Sequence, residues 1–253
     1  MPLPEKNVVL RVTGEFLVIV VGVLVALGVD SWASQRDDRV LERDYLERLL
    51  DDVRYDLREY AFVDSVARVG EAASRELSSP ERVAALPPEV LIANLLVAAD
   101  ERVADPSRET YEELVNSGQV ELIRSPEVRR GLSAYARRIT ELNETWRRNS
   151  PELRRWAFSR IPRAVIERYS AACHINTPDG LNVMSTVCEF DHGGWPTESL
   201  RSDVLSPAGQ QRLQLAENIY VALSGFANQL RISAEELEAL LVAELSRYER
   251  GAL

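Results

Sequence analysis

No glycine-rich phosphate loop, no nucleophile elbow and no His-Glu-x-x-His pattern occurs in the 253 residues. The sequence therefore offers no ready-made nucleotide cradle, serine nucleophile or zinc-protease helix. Histidine and cysteine, the residues most used for metal binding and nucleophilic catalysis, number two each. Lys6 is the only lysine. Basic residues are outnumbered, 30 Lys and Arg against 40 Asp and Glu, and the net charge of −10 is spread along the chain without an acidic tail. A nucleic-acid footprint is basic and clustered, so DNA or RNA is not an expected partner. Anionic lipid should also repel the soluble part unless a local basic patch forms. Strand-type alternation is nearly absent, as are internal repeats and low-complexity tracts. The acidic pairs Asp37-Asp38, Asp51-Asp52 and Glu235-Glu236 lie on polar helical faces. Adjacent side chains diverge on a helix, so these pairs read as solvated charge rather than as acid–base couples.

Among what is present, one apolar run stands out. Val12 to Val29 reads VTGEFLVIVVGVLVALGV, with Glu15 its only charge. Eighteen helical residues span about 27 Å, close to the roughly 30 Å of a bilayer's hydrocarbon core. Leu10 and Trp32 extend the run, and Trp32 falls where an interfacial aromatic is expected. The run is apolar all round, unlike a buried core helix. The pattern predicts a short flank at 1–11, a transmembrane helix at 12–32 and a helical soluble domain at 33–253. Lys6, Arg11 and the small residues around Trp32 also fit a cleaved signal peptide. The length of the run, and helical patterning that resumes after Ala33, favour a permanent anchor. Arg11 and Glu15 stand one turn apart and pair near the interface, either as a solvated pair or as a contact to a partner helix. Gly22 and Ala26, with Gly14 on the same side, form a small-residue step for helix packing within the membrane; ordinary glycine usage in such helices is the plainer reading. Basic residues near the span give no decisive orientation.

The remainder reads as helix after helix. Leu46, Leu50, Val53, Leu57 and Tyr60 recur at steps of four and three, one apolar seam in a helix expected from Gln35 to Leu77, nearly continuous with the anchor. Pro88 to Ala104 is expected helical. Ser107 is expected to cap a short helix that ends at Gly118. In Ser125-Pro126 and Ser206-Pro207 a serine cap precedes a first-turn proline, and Ser150-Pro151 repeats that start. Pro162 should interrupt the following helix. Ser233-Ala234-Glu235-Glu236 has the form of a capping box, so a break is expected near Ile232. Residues 171–205 are the least helical, with a short hairpin suggested at Val183–Phe190. The fold class is therefore all-α, an anchor continuing into a bundle-like domain. Tyr111, Leu114 and Leu122, in a segment shaped like a helix-turn-helix, read as core residues.

All four cysteines and histidines fall in that irregular stretch, as Cys173-His174 and Cys188-x3-His192. Several readings stand. A disulfide would close a 16-residue loop and contribute roughly 3 kcal/mol, and would suit an oxidising compartment. Two buried free thiols are the second. Zinc needs four tetrahedral ligands, and adjacent Cys173 and His174 make an awkward pair of them. A nucleophilic cysteine with a histidine base has no surrounding motif. The disulfide tips the orientation toward a domain outside the cytoplasm. Trp146 and Trp156 sit on apolar stripes and read as packing residues. Trp195, beside Gly193-Gly194 and Pro196, either packs or lines a ligand or partner surface.

Two stretches carry a family resemblance. Gly14 to Leu57, GEFLVIVVGVLVALGVDSWASQRDDRVLERDYLERLLDDVRYDL, resembles the glycine–glutamate anchor, Asn/Ser-Trp pair and Tyr-Leu-x-x-Leu helix of a bacterial family of single-pass membrane proteins defined as a domain of unknown function. Thr110 to Ile139, TYEELVNSGQVELIRSPEVRRGLSAYARRI, resembles its Tyr-x-x-Leu-x-x-Ser-Gly-x-x-x-Leu-Ile segment. Gly28-Val29-Asp30 departs from the amide-bearing residues of that family. The resemblance implies a membrane location and a helical domain, and brings no catalytic residues. The expected function is a non-enzymatic interaction or scaffold component of the bacterial envelope, in the inner membrane with its domain periplasmic. Its expected partners are the membrane, another envelope protein or a second copy; no catalytic residue, cofactor or metal is assigned. A ligand-sensing domain acting through a membrane partner is the alternative.

Overall fold

A computed structural model describes residues 5–148, 152–176 and 182–251; the side chains of 5–19, 143, 145–148, 175, 176, 182 and 251 lie outside that description. The described residues are almost wholly helical: α1 (Glu5–Leu77), α2 (Pro80–Ala85), α3 (Pro88–Ala98), α4 (Glu109–Asn116), α5 (Pro126–Arg148), α6 (Glu152–Arg160), α7 (Arg163–Cys173), α8 (Glu198–Leu205) and α9 (Pro207–Gly251). A single 3-10 turn covers Val120–Leu122. Strands β1 (His174–Asn176) and β2 (Asn182–Met184) pair antiparallel, Ile175 opposite Val183.

The two long helices run antiparallel as a spine. Glu42 meets Tyr248 at one end, Arg54 bonds Glu238 at 2.9 Å in the middle, and Gln210 donates to the Leu77 carbonyl at 3.0 Å at the other end. Both helices carry the 4-3 spacing that keeps a stripe facing a partner helix. On α1 it runs through Leu46, Leu49, Val53, Tyr60, Val63, Ala67 and Leu77; on α9 through Leu213, Ala216, Tyr220, Leu223, Ala227, Leu230, Ala234, Leu237 and Leu241, all buried. Each fully buried leucine contributes about 2 kcal/mol, so this seam is the main source of cohesion. Leu50 lies at its edge and Leu57 is only half-buried. The deepest line is thus displaced slightly from the one expected.

Two cores flank the spine. One gathers the far end of α1 with α2, α3, α6, α7, α8 and the first half of α9. The other gathers α1 from Tyr45 to Tyr60 with α4, α5 and the second half of α9. Helix α3 is buried from Leu91 to Ala98, which explains its nearly unbroken apolar sequence. Serine–proline starts recur as expected: Val128 N–H bonds Ser125 Oγ at 3.3 Å, and Gly209 N–H bonds Ser206 Oγ at 3.1 Å. Gly118 ends α4 with φ +69°, and Gln119 N–H returns to the Leu114 carbonyl at 2.9 Å, the 6→1 bond of a left-handed helix stop. Pro162 separates α6 from α7.

Several expectations need correcting. Helix α3 stops at Ala98 rather than Ala104, because residues 100–107 leave the helix to bridge the two cores. Ser107 does not cap α4, whose preceding residue is Arg108; it is held by carboxylates of α1. No break occurs near Ile232: α9 is unbroken from Pro207 to Gly251. Ala234 and Leu237 continue the seam there, and packing on α1 outweighs a local capping box. The partner of Asn182–Met184 is His174–Asn176, not residues nearer Phe190. Segment 171–205 is also more regular than expected, since α7 reaches Cys173 and Glu198–Leu205 is helical. Ser150-Pro151 lies outside the described residues.

Gly70 occupies a seam position of α1 that faces Tyr220 of α9. A Cβ there would run into the ring of Tyr220. The notch lets the Tyr220 hydroxyl reach the end of α3 and donate to the Ala98 carbonyl at 3.0 Å. Gly70→Ala should therefore cost about 2 kcal/mol through overpacking. Gly225→Ala, where a Cβ meets nothing within 4 Å, should gain about 0.5 to 1 kcal/mol from helix propensity. Chemical denaturation in mild detergent checks both; equal effects would contradict the notch.

Candidate functional site

Three places could carry function: the arm of α1, the carboxylates buried along the spine, and the cystine hairpin. From Val20 to Ser34 every α1 side chain is exposed. Val21, Val23, Leu24, Val25, Leu27 and Val29 are half or more exposed, and a Cβ at Gly22 or Gly28 would meet nothing within 4 Å. The seam begins only at Glu42, so α1 leaves the domain as a lone apolar helix. Gly22 and Ala26 lie on this arm, away from the rest of the chain. Arg11, Gly14 and Glu15 fall where side chains are not described, so their pairing and packing lie outside the described residues. Among the described residues, no helix is long and apolar enough to cross a membrane; the expected span at 12–32 begins ahead of Val20.

The spine buries two carboxylates in the same way. Glu42 is fully buried and accepts the Arg124 N–H at 2.6 Å and the Tyr248 hydroxyl. Asp56, four turns on, is also fully buried and accepts the Ser107 N–H at 2.6 Å and the Tyr135 hydroxyl at 2.6 Å. Tyr135 in turn lies 2.7 Å from the Tyr60 hydroxyl, and Ser107 Oγ donates to Asp52 at 2.9 Å. Each carboxylate pins one connecting segment and one tyrosine of a neighbouring helix to α1. Burial outweighs the two donors and pushes Asp56 up to about 6, while burial keeps both tyrosines protonated by raising them further.

Glu101 is different. It sits three residues beyond α3, is buried, and both its carboxylate oxygens lack a hydrogen-bond partner among the described residues. Burial pushes it up to about 7, with Arg154 opposing only by its charge. Segment 100–107 thus has a buried carboxylate of its own at one end and Asp56 of α1 at the other.

In the hairpin, Cys173 and Cys188 form a disulfide with Cα atoms 5.5 Å apart. It closes the end of α7 onto the loop after β2, where Ser185 N–H bonds the Cys173 carbonyl at 3.0 Å and Tyr169 donates to the Ser185 carbonyl at 2.8 Å. With the sulfurs joined, neither is a thiolate for zinc or for nucleophilic attack. His174 stands edge-on to Tyr169, and His192 Nδ1 is buried without a hydrogen-bond partner among the described residues. Among the described residues, no group of three or more His, Cys, Asp or Glu is placed to hold a metal. Gly193 has φ +69°, and a Cβ there would also run into the Arg168 guanidinium. Trp156 and Trp195 pack partly buried against the core at the far end of α1; the Trp146 side chain lies outside the described residues.

Sequence reasoning missed Glu42, Asp56 and Glu101. Asp52, expected to be solvated, is partly buried on Ser107. For two of them the sign was present: Glu42 and Asp56 fall seven residues either side of Leu49, at the same register of the seam. A charge at a core register marks a buried, partnered group. Glu101 follows a helix end and carries no such mark. The chain matches no protein-family model, no curated protein and no solved structure.

The raised carboxyls set a pH dependence. A raised folded-state value means the native chain binds the proton more tightly than the unfolded chain. Stability is therefore lost as pH rises from the ordinary range of these groups through about 6 for Asp56 and about 7 for Glu101. The denaturation midpoint should be higher at pH 5 than at pH 8. Glu101→Gln should stabilise by roughly 2 kcal/mol at pH 8 and have little effect at pH 5. The same gain at both pH values, or a loss at pH 8, would contradict the assignment.

Proposed function

We propose that the chain is a single-pass protein of a bacterial inner membrane, whose helical domain is a non-enzymatic interaction or scaffold component held at the periplasmic face. The observation that carries the reading is the arm: α1 leaves the domain with its valines and leucines exposed on every side. So much apolar surface on a lone helix calls for a cover, and the sequence from Val12 to Val29 has the length and composition that lipid covers best. The resemblance at Gly14–Leu57 and Thr110–Ile139 points the same way. Those two stretches also meet in the domain: the Tyr45 hydroxyl donates to Glu113 at 2.8 Å and lies 3.0 Å from the Gln119 side-chain oxygen.

The disulfide supports the periplasmic side, since such bonds persist in oxidising compartments. The alternative, a ligand-sensing domain acting through a membrane partner, draws on a polar groove of about 420 Å³ between α5 and α9, lined by Arg137, Arg138, Ser233 and Glu236. A metabolite that raises the unfolding temperature would favour it.

Fractionation tests the anchor. The full chain should stay in the membrane pellet after an alkaline wash. Val21→Arg with Leu24→Arg should release it, since each arginine at the centre of a span costs about 3 kcal/mol. Wild-type protein in the soluble fraction would overturn the reading. Copurification in mild detergent tests the scaffold role; repeated recovery as a lone monomer would count against it.

A further inference from the structure

The stalk of α1 between the apolar arm and the domain has two faces of opposite charge. Trp32, Arg36, Arg39 and Arg43 follow one another at steps of four, three and four, which places them on one side of the helix. Asp30, Asp37 and Asp44, seven residues apart, form a second line well round the helix from the first. An acidic chain thus presents a local basic stripe where the apolar run ends.

The members of that stripe differ in what they bind. Arg43 is taken by Glu47 at 2.8 Å. Arg36 lies over the Trp32 ring, 5.9 Å from its centroid, and has no carboxylate partner among the described residues. Arg39 is exposed and has neither hydrogen bond nor ion pair among them. Most arginines of the folded domain are paired with carboxylates, as Arg48, Arg54, Arg75 and Arg129 show. Arg36 and Arg39 thus stand on one side of the stalk, beside Trp32, without a carboxylate partner among the described residues.

Distance decides which of them can reach lipid. With Trp32 at the hydrocarbon boundary, Arg36 stands about 6 Å above it, Arg39 about 10 Å and Arg43 about 16 Å. The headgroup layer of one leaflet is about 5 to 8 Å thick. Arg36 lies within it, and Arg39 reaches it by bending its long side chain toward the membrane. Arg43 stands above it and is already paired. We infer that Arg36 and Arg39 hold the phosphate groups of anionic membrane lipids against the stalk. This rests on the membrane reading above. A parallel second copy fits this face poorly, because symmetric pairing would set arginine against arginine.

The test uses the full chain with vesicles of phosphatidylcholine alone and of phosphatidylcholine mixed with phosphatidylglycerol. Flotation reports the anchor. Native mass spectrometry of lipid retained after extraction from the mixed vesicles reports the headgroup site. Wild type should float with both compositions and retain phosphatidylglycerol above its share of the bilayer, by about fivefold per arginine. Arg36→Gln with Arg39→Gln should float equally and lose the enrichment, whereas Arg43→Gln should keep it. Flotation without enrichment, enrichment that survives the double substitution, or cross-linking of two copies through positions 36 and 39 would overturn the inference. Failure to float with either composition would overturn the membrane reading itself.

Discussion

Everything in this molecule hangs on the antiparallel contact between α1 and α9. Their seams keep one spacing from Glu42 to Leu77 and from Leu213 to Leu241, and the shorter helices pack against the pair in two groups. Because α1 enters this contact without a break, the arm and the domain are parts of one rigid element. A contact that starts at Glu42 leaves the preceding turns as a stalk of fixed length, with its charged faces in fixed register above the apolar run.

The polar members of the seam show how the spine recruits the rest of the chain. Glu42 and Asp56 take positions that leucine or valine would fill, and each gives up apolar burial for two hydrogen bonds to other elements. Breaking such a group by removing one partner costs far more than the pair contributes, so these contacts fix where segments 100–107 and 117–125 lie. Gly70 does by absence what the carboxylates do by charge, letting Tyr220 cross to α3. Glu101 is the exception, a buried acid with no hydrogen-bond partner among the described residues, which weakens the fold above neutral pH.

Much of the helical order was readable from short-range chemistry. Ser125-Pro126, Ser206-Pro207, Pro162 and Gly118 act through their own backbone geometry, and their effects fell where expected. The capping box at Ser233 failed because its preference is worth about 1 kcal/mol, less than the burial of Ala234 and Leu237 on α1. The early end of α3 was hidden because Glu101 and Ala104 are unremarkable in a helix, and only the distance between two cores requires extended chain there. The carboxylate sites were half legible: the register marked Glu42 and Asp56 as core positions, but their partners Ser107, Arg124, Tyr135 and Tyr248 lie far along the chain. The arginine stripe was visible as spacing, yet which of its members are unpaired depends on the folded neighbours of each.

Helices α1 and α9 form one antiparallel spine, with the end of α9 returning to the base of the arm. Spin labels on single cysteines test it directly, with the native disulfide kept oxidised. Labels at Arg43 and Gln211, both exposed, should lie about 50 Å apart, the length of the shared helical stretch. Labels at Arg43 and Glu249 should lie within about 20 Å, set by neighbouring helix axes and the label arms. Narrow distributions at those two distances are the expected result. Comparable distances for both pairs, or a long separation between Arg43 and Glu249, would contradict the spine and everything built on it.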